Sequence, residues 1–129
     1  MTKVKASKKS KIKKKISSVR IYLTAQLNNT IVTLTDQEGK VVAWSSSGKS
    51  GFKGAKKSTP FAAQKVTEEI LEKVDMVNAK VADIYIKGAG MGRDSFIRTI
   101  QNSDLQINSI TDTTGFPFGG CKPKKRRRV

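Results

Sequence analysis

Apolar and polar residues alternate strictly from Ser18 onward, with Val19, Ile21, Leu23 and Ala25 set against Arg20, Tyr22, Thr24 and Gln26. A period of two puts each set on one face of a strand. Leu27-Asn28-Asn29 reads as a turn. A β-branched run, Thr30 to Thr35, follows it. Asp36-Gln37-Glu38-Gly39 then suits a hairpin turn into Val41 to Ser45, completing a three-stranded antiparallel meander. The period changes after residue 58. Thr59-Pro60 supplies an N-cap with proline at the first helical position, and Ala63, Val66, Ile70, Val74 and Val77 recur at helical spacing. Lys80 to Lys87 returns to strand character through Val81, Ala82, Ile84 and Ile86. A glycine loop, Gly88-Ala89-Gly90-Met91-Gly92, leads into a short helix from about Arg93 to Ser103, and Gln106 to Thr113 forms the fifth strand. The order βββαβαβ requires helical crossovers for the last two strands, which predicts one α/β domain with a mixed sheet.

The chain has 129 residues and a formal net charge of +16, and the distribution of that charge alters the reading more than its size. Nine bases (Lys3, Lys5, Lys8, Lys9, Lys11, Lys13, Lys14, Lys15, Arg20) lie in residues 1–20. Six more (Lys122, Lys124, Lys125, Arg126, Arg127, Arg128) lie in 122–128, and neither stretch holds an acid. The remaining eleven bases face all ten acids, so the body is nearly neutral. The predicted organisation is a disordered basic arm at 1–17, an α/β domain at 18–113 and a disordered basic tail at 114–129, whose Pro117, Gly119, Gly120 and Pro123 oppose regular structure. The segment from Ser46 to Ser58 is a third cationic element, with Lys49, Lys53, Lys56 and Lys57 among three glycines and one aromatic, Phe52. Cationic arms on a neutral body suit a polyanion, because each neutralised phosphate releases condensed counterion.

The composition also excludes chemistry. There is no histidine and a single cysteine, Cys121, so Cys/His zinc sites, intramolecular disulfides and imidazole acid–base catalysis are ruled out. No apolar run approaches the roughly 18 residues of a membrane span and no hydrophobic signal core opens the chain, so the expectation is an intracellular, soluble protein.

Gly48-Lys49-Ser50 follows a strand as a phosphate loop would, but the first glycine of that motif falls on Ala43 and the helix waits until Pro60. The glycines at 88, 90 and 92 miss dinucleotide-loop spacing and read as turn formers. Asp36, Asp83 and Asp112 are weighed as a metal-binding carboxylate set against surface and capping roles, which are favoured. Arg93 and Arg98 are candidate phosphate contacts, Arg93 the better. Among Trp44, Phe52, Phe116 and Phe118, Phe52 is the best candidate for stacking on an unpaired base, while Trp44, on a strand, is expected to be buried. The tail 123–129 also reads as a nuclear localisation patch.

Four blocks carry a resemblance: Asn28 to Asp36, Ser50 to Gln64, Lys87 to Ser95, and Ile110-Thr111-Asp112 leading to Cys121-Lys122-Pro123 and Lys125 to Val129. In order and over residues 18 to 129, they resemble the universal small-subunit ribosomal protein eleven family in its bacterial type. The resemblance implies a three-layer ribonuclease-H-like α/β/α fold without enzymatic activity and with no cofactor. It implies binding to small-subunit rRNA on the platform near the mRNA exit path. The implied neighbours are the small-subunit proteins numbered seven, eighteen and twenty-one, and the implied location is the ribosome in the cytoplasm of a bacterium or in an organelle of bacterial descent. Lys122, Lys124, Lys125, Arg126, Arg127 and Arg128 are then rRNA phosphate contacts, alongside Lys49, Lys53, Lys56, Lys57, Arg93 and Arg98 and the stacking candidate Phe52. The chain departs from the family pattern at Gly115 to Lys124, where the usual Asn-Gly pair is missing and Lys122 stands in place of arginine, and at Gly90-Met91-Gly92 in place of Gly-Pro-Gly. The alternative is a free basic RNA- or DNA-binding module; a nucleotide hydrolase is a third class, resting on Gly48-Lys49-Ser50.

Overall fold

The computed structural model describes residues 15–129; the arm expected at 1–17 lies almost entirely outside them. Five strands form one sheet in the order β3-β2-β1-β4-β5: β1 (Ser18–Ala25), β2 (Thr30–Thr35), β3 (Val41–Ser46), β4 (Val81–Lys87) and β5 (Gln106–Asp112). Helix α1 (Pro60–Met76) joins β3 to β4, and α2 (Gly92–Gln101) joins β4 to β5. The mixed sheet and the order of elements follow the alternation in the chain. β1–β2 and β2–β3 pair antiparallel, whereas β1–β4 and β4–β5 pair parallel.

The layer count differs from the three implied by the resemblance. Both crossovers advance across the sheet in the same direction, from β3 over β2 and β1 to β4, and then to β5. Two connections of one hand and one direction stack their helices on one face, and α1 packs along α2 there. Among the described residues the domain has two layers, and no element covers the other face of the sheet.

The covered face is built by the alternation. Val19, Ile21, Leu23 and Ala25 are all at most 1% exposed, and Val32, Leu34, Ala82, Ile84 and Ile86 extend the same surface. Val66, Ile70 and Val74 of α1 and Phe96 and Ile100 of α2 close onto it. The helices approach closely at Gly92, where an added Cβ would lie 2.9 Å from Ala63 Cβ and 3.0 Å from Thr30 Oγ1. On the open face, register brings Trp44, Thr33, Tyr22, Tyr85 and Thr111 into one row across all five strands. Tyr22 and Tyr85 stack there with ring centroids 4.9 Å apart.

Local chemistry sets the element ends. Thr59 Oγ1 accepts from Ala62 N at 3.3 Å with Pro60 at N1, as the sequence predicts. Asp36 Oδ1 accepts from the amides of Glu38 and Lys40, which shapes the β2–β3 turn. A one-residue register shift between Ala82 and Asp83 lets Asp83 Oδ1 accept from both Asn108 Nδ2 and Ser109 Oγ. Those two hydrogen bonds hold its carboxyl below the ordinary carboxylate range.

Candidate nucleic-acid interface

Strand polarity brings two of the three cationic segments together with the glycine loop. β3, β1, β4 and β5 all run in one direction, since two antiparallel pairings separate β3 from β1. The loop after β3, the glycine loop after β4 and the tail after β5 therefore leave the same end of the sheet. The N-termini of α1 and α2 lie at that end as well, with the positive ends of their dipoles. Asp36 and Glu38, in the β2–β3 turn, fall at the opposite end, as do the helix C-termini with Asp75 and Asp104. The loop end is therefore cationic, while the opposite end mixes these acids with Lys40, Lys80 and Arg98.

In the 47–59 loop, Lys53 and Lys56 are exposed and Lys57 is half-buried around a single 3-10 turn, Gly54–Ser58. The loop amides do not form an anion cradle: Lys49 N donates to Ser46 Oγ at 3.2 Å and Ser50 N to Ser46 O at 3.0 Å. Gly48-Lys49-Ser50 is a turn whose Lys49 and Ser50 amides are taken up by Ser46. Lys49 folds back toward β3, where its Nζ donates to Trp44 O at 3.2 Å. Phe52 is half-buried, edge-on to Phe61 at 5.8 Å between ring centroids. The freer face of that pair belongs to Phe61, which is 57% exposed under Lys65 Nζ. Trp44, expected to be buried, is 51% exposed, because its strand position faces the uncovered side of the sheet.

Arg93 is engaged within the protein. Its Nη1 donates to Gly88 O at 3.0 Å and its Nη2 to Asp112 Oδ2 at 2.8 Å. Asp112 Oδ1 accepts from Thr114 N and Thr114 Oγ1, Thr114 Oγ1 accepts from Gly88 N, and Thr113 N donates to Ile86 O. The hydrogen bonds from Thr114, with the Arg93 guanidinium, pull the Asp112 carboxyl down to about 2. This clasp ties the first residues of the tail to the glycine loop, so Arg93 aims the tail with two of its guanidinium nitrogens. Arg98 lies in the last turn of α2, about 9 Å along the axis from the helix start, and the fold does not bring it to the loop cluster. Beyond the clasp, residues 115–129 have no helix or strand, and Lys122, Lys124, Lys125, Arg126, Arg127 and Arg128 are all exposed.

The glycines at 88 and 90 serve a close backbone crossing. A Cβ on Gly88 would lie 2.2 Å from Ala25 O, and one on Gly90 2.5 Å from Gln26 O; Gly90 N donates to Ala25 O at 2.8 Å. Asp36, Asp83 and Asp112 sit at three separate places with their own partners, and no metal-binding cluster occurs among the described residues. Among those residues no helix is long and apolar enough to cross a membrane.

Sequence reasoning passes over Lys73, which reaches Trp44 O at 3.5 Å, because it sits among glutamates on an amphipathic helix. It also misses the Arg93–Asp112 clasp, which joins residues 19 apart.

Comparison with known proteins identifies the family. The family model described as Ribosomal protein S11 matches residues 19–128. The small ribosomal subunit protein uS11 of Borreliella burgdorferi (strain ZS7) is 48% identical over 127 residues, covering 98% of each chain. The small ribosomal subunit protein uS11c of Cyanidium caldarium is 49% identical over 128 residues, covering 98% of this chain and 99% of its own. The uS11 protein of Treponema pallidum (strain Nichols) is 45% identical over 123 residues, covering 95% of this chain and 98% of its own. With the family model matched from β1 to the tail and these relatives covering nearly the whole chain, the chain belongs to the ribosomal protein S11 family.

Proposed function

We propose that this chain is a structural, non-enzymatic constituent of the small ribosomal subunit that binds small-subunit rRNA through one end of its sheet. The observation that carries this reading is the convergence of the 47–59 loop, the glycine loop and the basic tail at the end where both helix N-termini lie. Lys53, Lys56 and Lys57 neutralise phosphate beside the helix dipoles. Lys122, Lys124, Lys125, Arg126, Arg127 and Arg128 follow the RNA backbone as a flexible strap whose root is aimed by the Arg93–Asp112 clasp. Lys49 joins the loop set from the β3 edge, and Phe52 acts through Phe61, which offers the stacking face. Arg93 contributes by positioning, and Arg98 stands apart from the main interface.

We infer from the family resemblance a position on the platform near the mRNA exit path, beside the small-subunit proteins numbered seven, eighteen and twenty-one. The organisation proposed is an arm at 1–17, a binding domain at 18–113 and a tail at 114–129. A sucrose gradient of native lysate, run with and without ribonuclease, tests the reading. Stoichiometric co-migration with small subunits that is lost on ribonuclease treatment is the expected result. A peak near the top of both gradients would instead identify a free nucleic-acid binder.

A further inference from the structure

Trp44 lies in the middle of β3, the free edge strand, and its carbonyl points away from the sheet. Two ammonium groups converge on that oxygen: Lys49 Nζ at 3.2 Å from the loop, and Lys73 Nζ at 3.5 Å from α1. Lys49 Nζ also sits 4.8 Å from the centroid of the Trp44 ring, which is half exposed on the open face. Neither lysine has a carboxylate within salt-bridge distance among the described residues. Glu69 and Glu72 are near Lys73, but Glu69 is taken up by a short hydrogen bond from Ser45 Oγ. Burial and the neighbouring Lys49 hold the Lys73 ammonium below its ordinary value, so the pair repels itself. Two cations gathered on one neutral carbonyl beside an exposed indole make an arrangement that an anion joined to a flat apolar ring would complete.

We propose that Trp44, Lys49 and Lys73 form a subsite for one nucleotide of single-stranded RNA, its base stacked on the indole and its phosphate bridging the two ammonium groups. This rests on the RNA-binding reading above and extends it to the β3 edge and the open face. An exposed cation–π contact is weaker than a base stacked on the same ring, so an arriving base displaces Lys49 from the ring while the phosphate keeps it at the site. A duplex does not fit this chemistry, because its bases are stacked on one another and offer no free face to the indole.

Trp44 is the sole tryptophan of the chain, so its emission reports on this subsite alone. Full-length protein would be titrated with a short mixed-sequence single-stranded RNA, and separately with a duplex, while Trp44 emission and the anisotropy of end-labelled RNA are followed together. Saturable quenching by the single strand but not by the duplex is expected. The Lys49→Met/Lys73→Met double variant should lose the quenching and reduce the slope of log affinity against log salt by about 0.7, for the one single-strand phosphate that the two ammonium groups share. Trp44→Leu should weaken single-strand binding about tenfold with the slope unchanged. Anisotropy that reports binding while Trp44 emission stays constant would overturn the subsite and leave the RNA-binding reading intact. Absence of any anisotropy change would remove both. An emission shift produced by other small-subunit proteins, and not by RNA, would also overturn the subsite and assign the face to a protein neighbour.

Discussion

Replacing Gly88 with alanine tests the backbone crossing that joins β4 to α2. Gly88 has φ of +99°, and a Cβ there would lie 2.2 Å from Ala25 O and 3.0 Å from Ala25 C, both backbone atoms that no rotamer change can move. Ordinary contact begins at 3.4 Å, so the loop and the end of β1 must separate by about 1 Å, breaking the 2.8 Å hydrogen bond from Gly90 N to the same oxygen. The left-handed conformation costs about 1–2 kcal/mol for a residue with a Cβ, the lost hydrogen bond about 1 kcal/mol, and the forced overlap about 1–3 kcal/mol. Together these destabilise by roughly 3–6 kcal/mol. In a domain of about 100 residues, each kcal/mol lowers Tm by about 4–8 °C, so a fall of at least about 12 °C is expected. Gly51→Ala is the matched control: φ is +97° there but nothing lies within 4 Å of the added Cβ, which leaves the conformational cost alone, about 1–2 kcal/mol. Thermal unfolding followed by far-ultraviolet circular dichroism compares the two variants. Equal Tm shifts for Gly88→Ala and Gly51→Ala would refute the close approach and with it the structural account of this glycine loop.

Two further outcomes follow from the clasp and the tail. Because the Asp112 carboxyl is depressed to about 2 by Thr114 and Arg93, its contribution is fully present above the ordinary carboxylate value and is lost as pH falls toward about 2. Carboxyl-carbon NMR of the folded protein should place its midpoint near 2, and Asp112→Ala should lower the protection of the Thr114 amide at neutral pH; a midpoint near 4 would show that the clasp does not form. Removal of Lys122 to Val129 should lower ribosome incorporation against full-length chain expressed in the same cell while leaving Tm unchanged, since these residues are exposed and pack into no core. Equal incorporation would take the tail out of the mechanism.

Much of this molecule is written in short-range pattern. The alternation from Val19 to Ala25 specifies which side chains share the covered face, Thr59-Pro60 marks the start of α1, and the charge map separates cationic ends from a neutral body, because each depends on residues a few positions apart. Three features are not local and could not be read that way. A period of two says which residues share a face but not which face will be covered, so Trp44 reads as an interior residue; the common direction of the two crossovers leaves its side of the sheet open. Arg93 reads as a free cation until β5 returns beside β4 and sets Asp112 against it. Lys73 reads as one charge on a solvated helix face until α1 packs over the β3 edge and brings its ammonium to the carbonyl already held by Lys49. The local elements thus follow from the spacing of residue types along the chain, whereas the partners of Trp44, Arg93 and Lys73 come from strand order and crossover direction, which bring together groups that the chain keeps far apart.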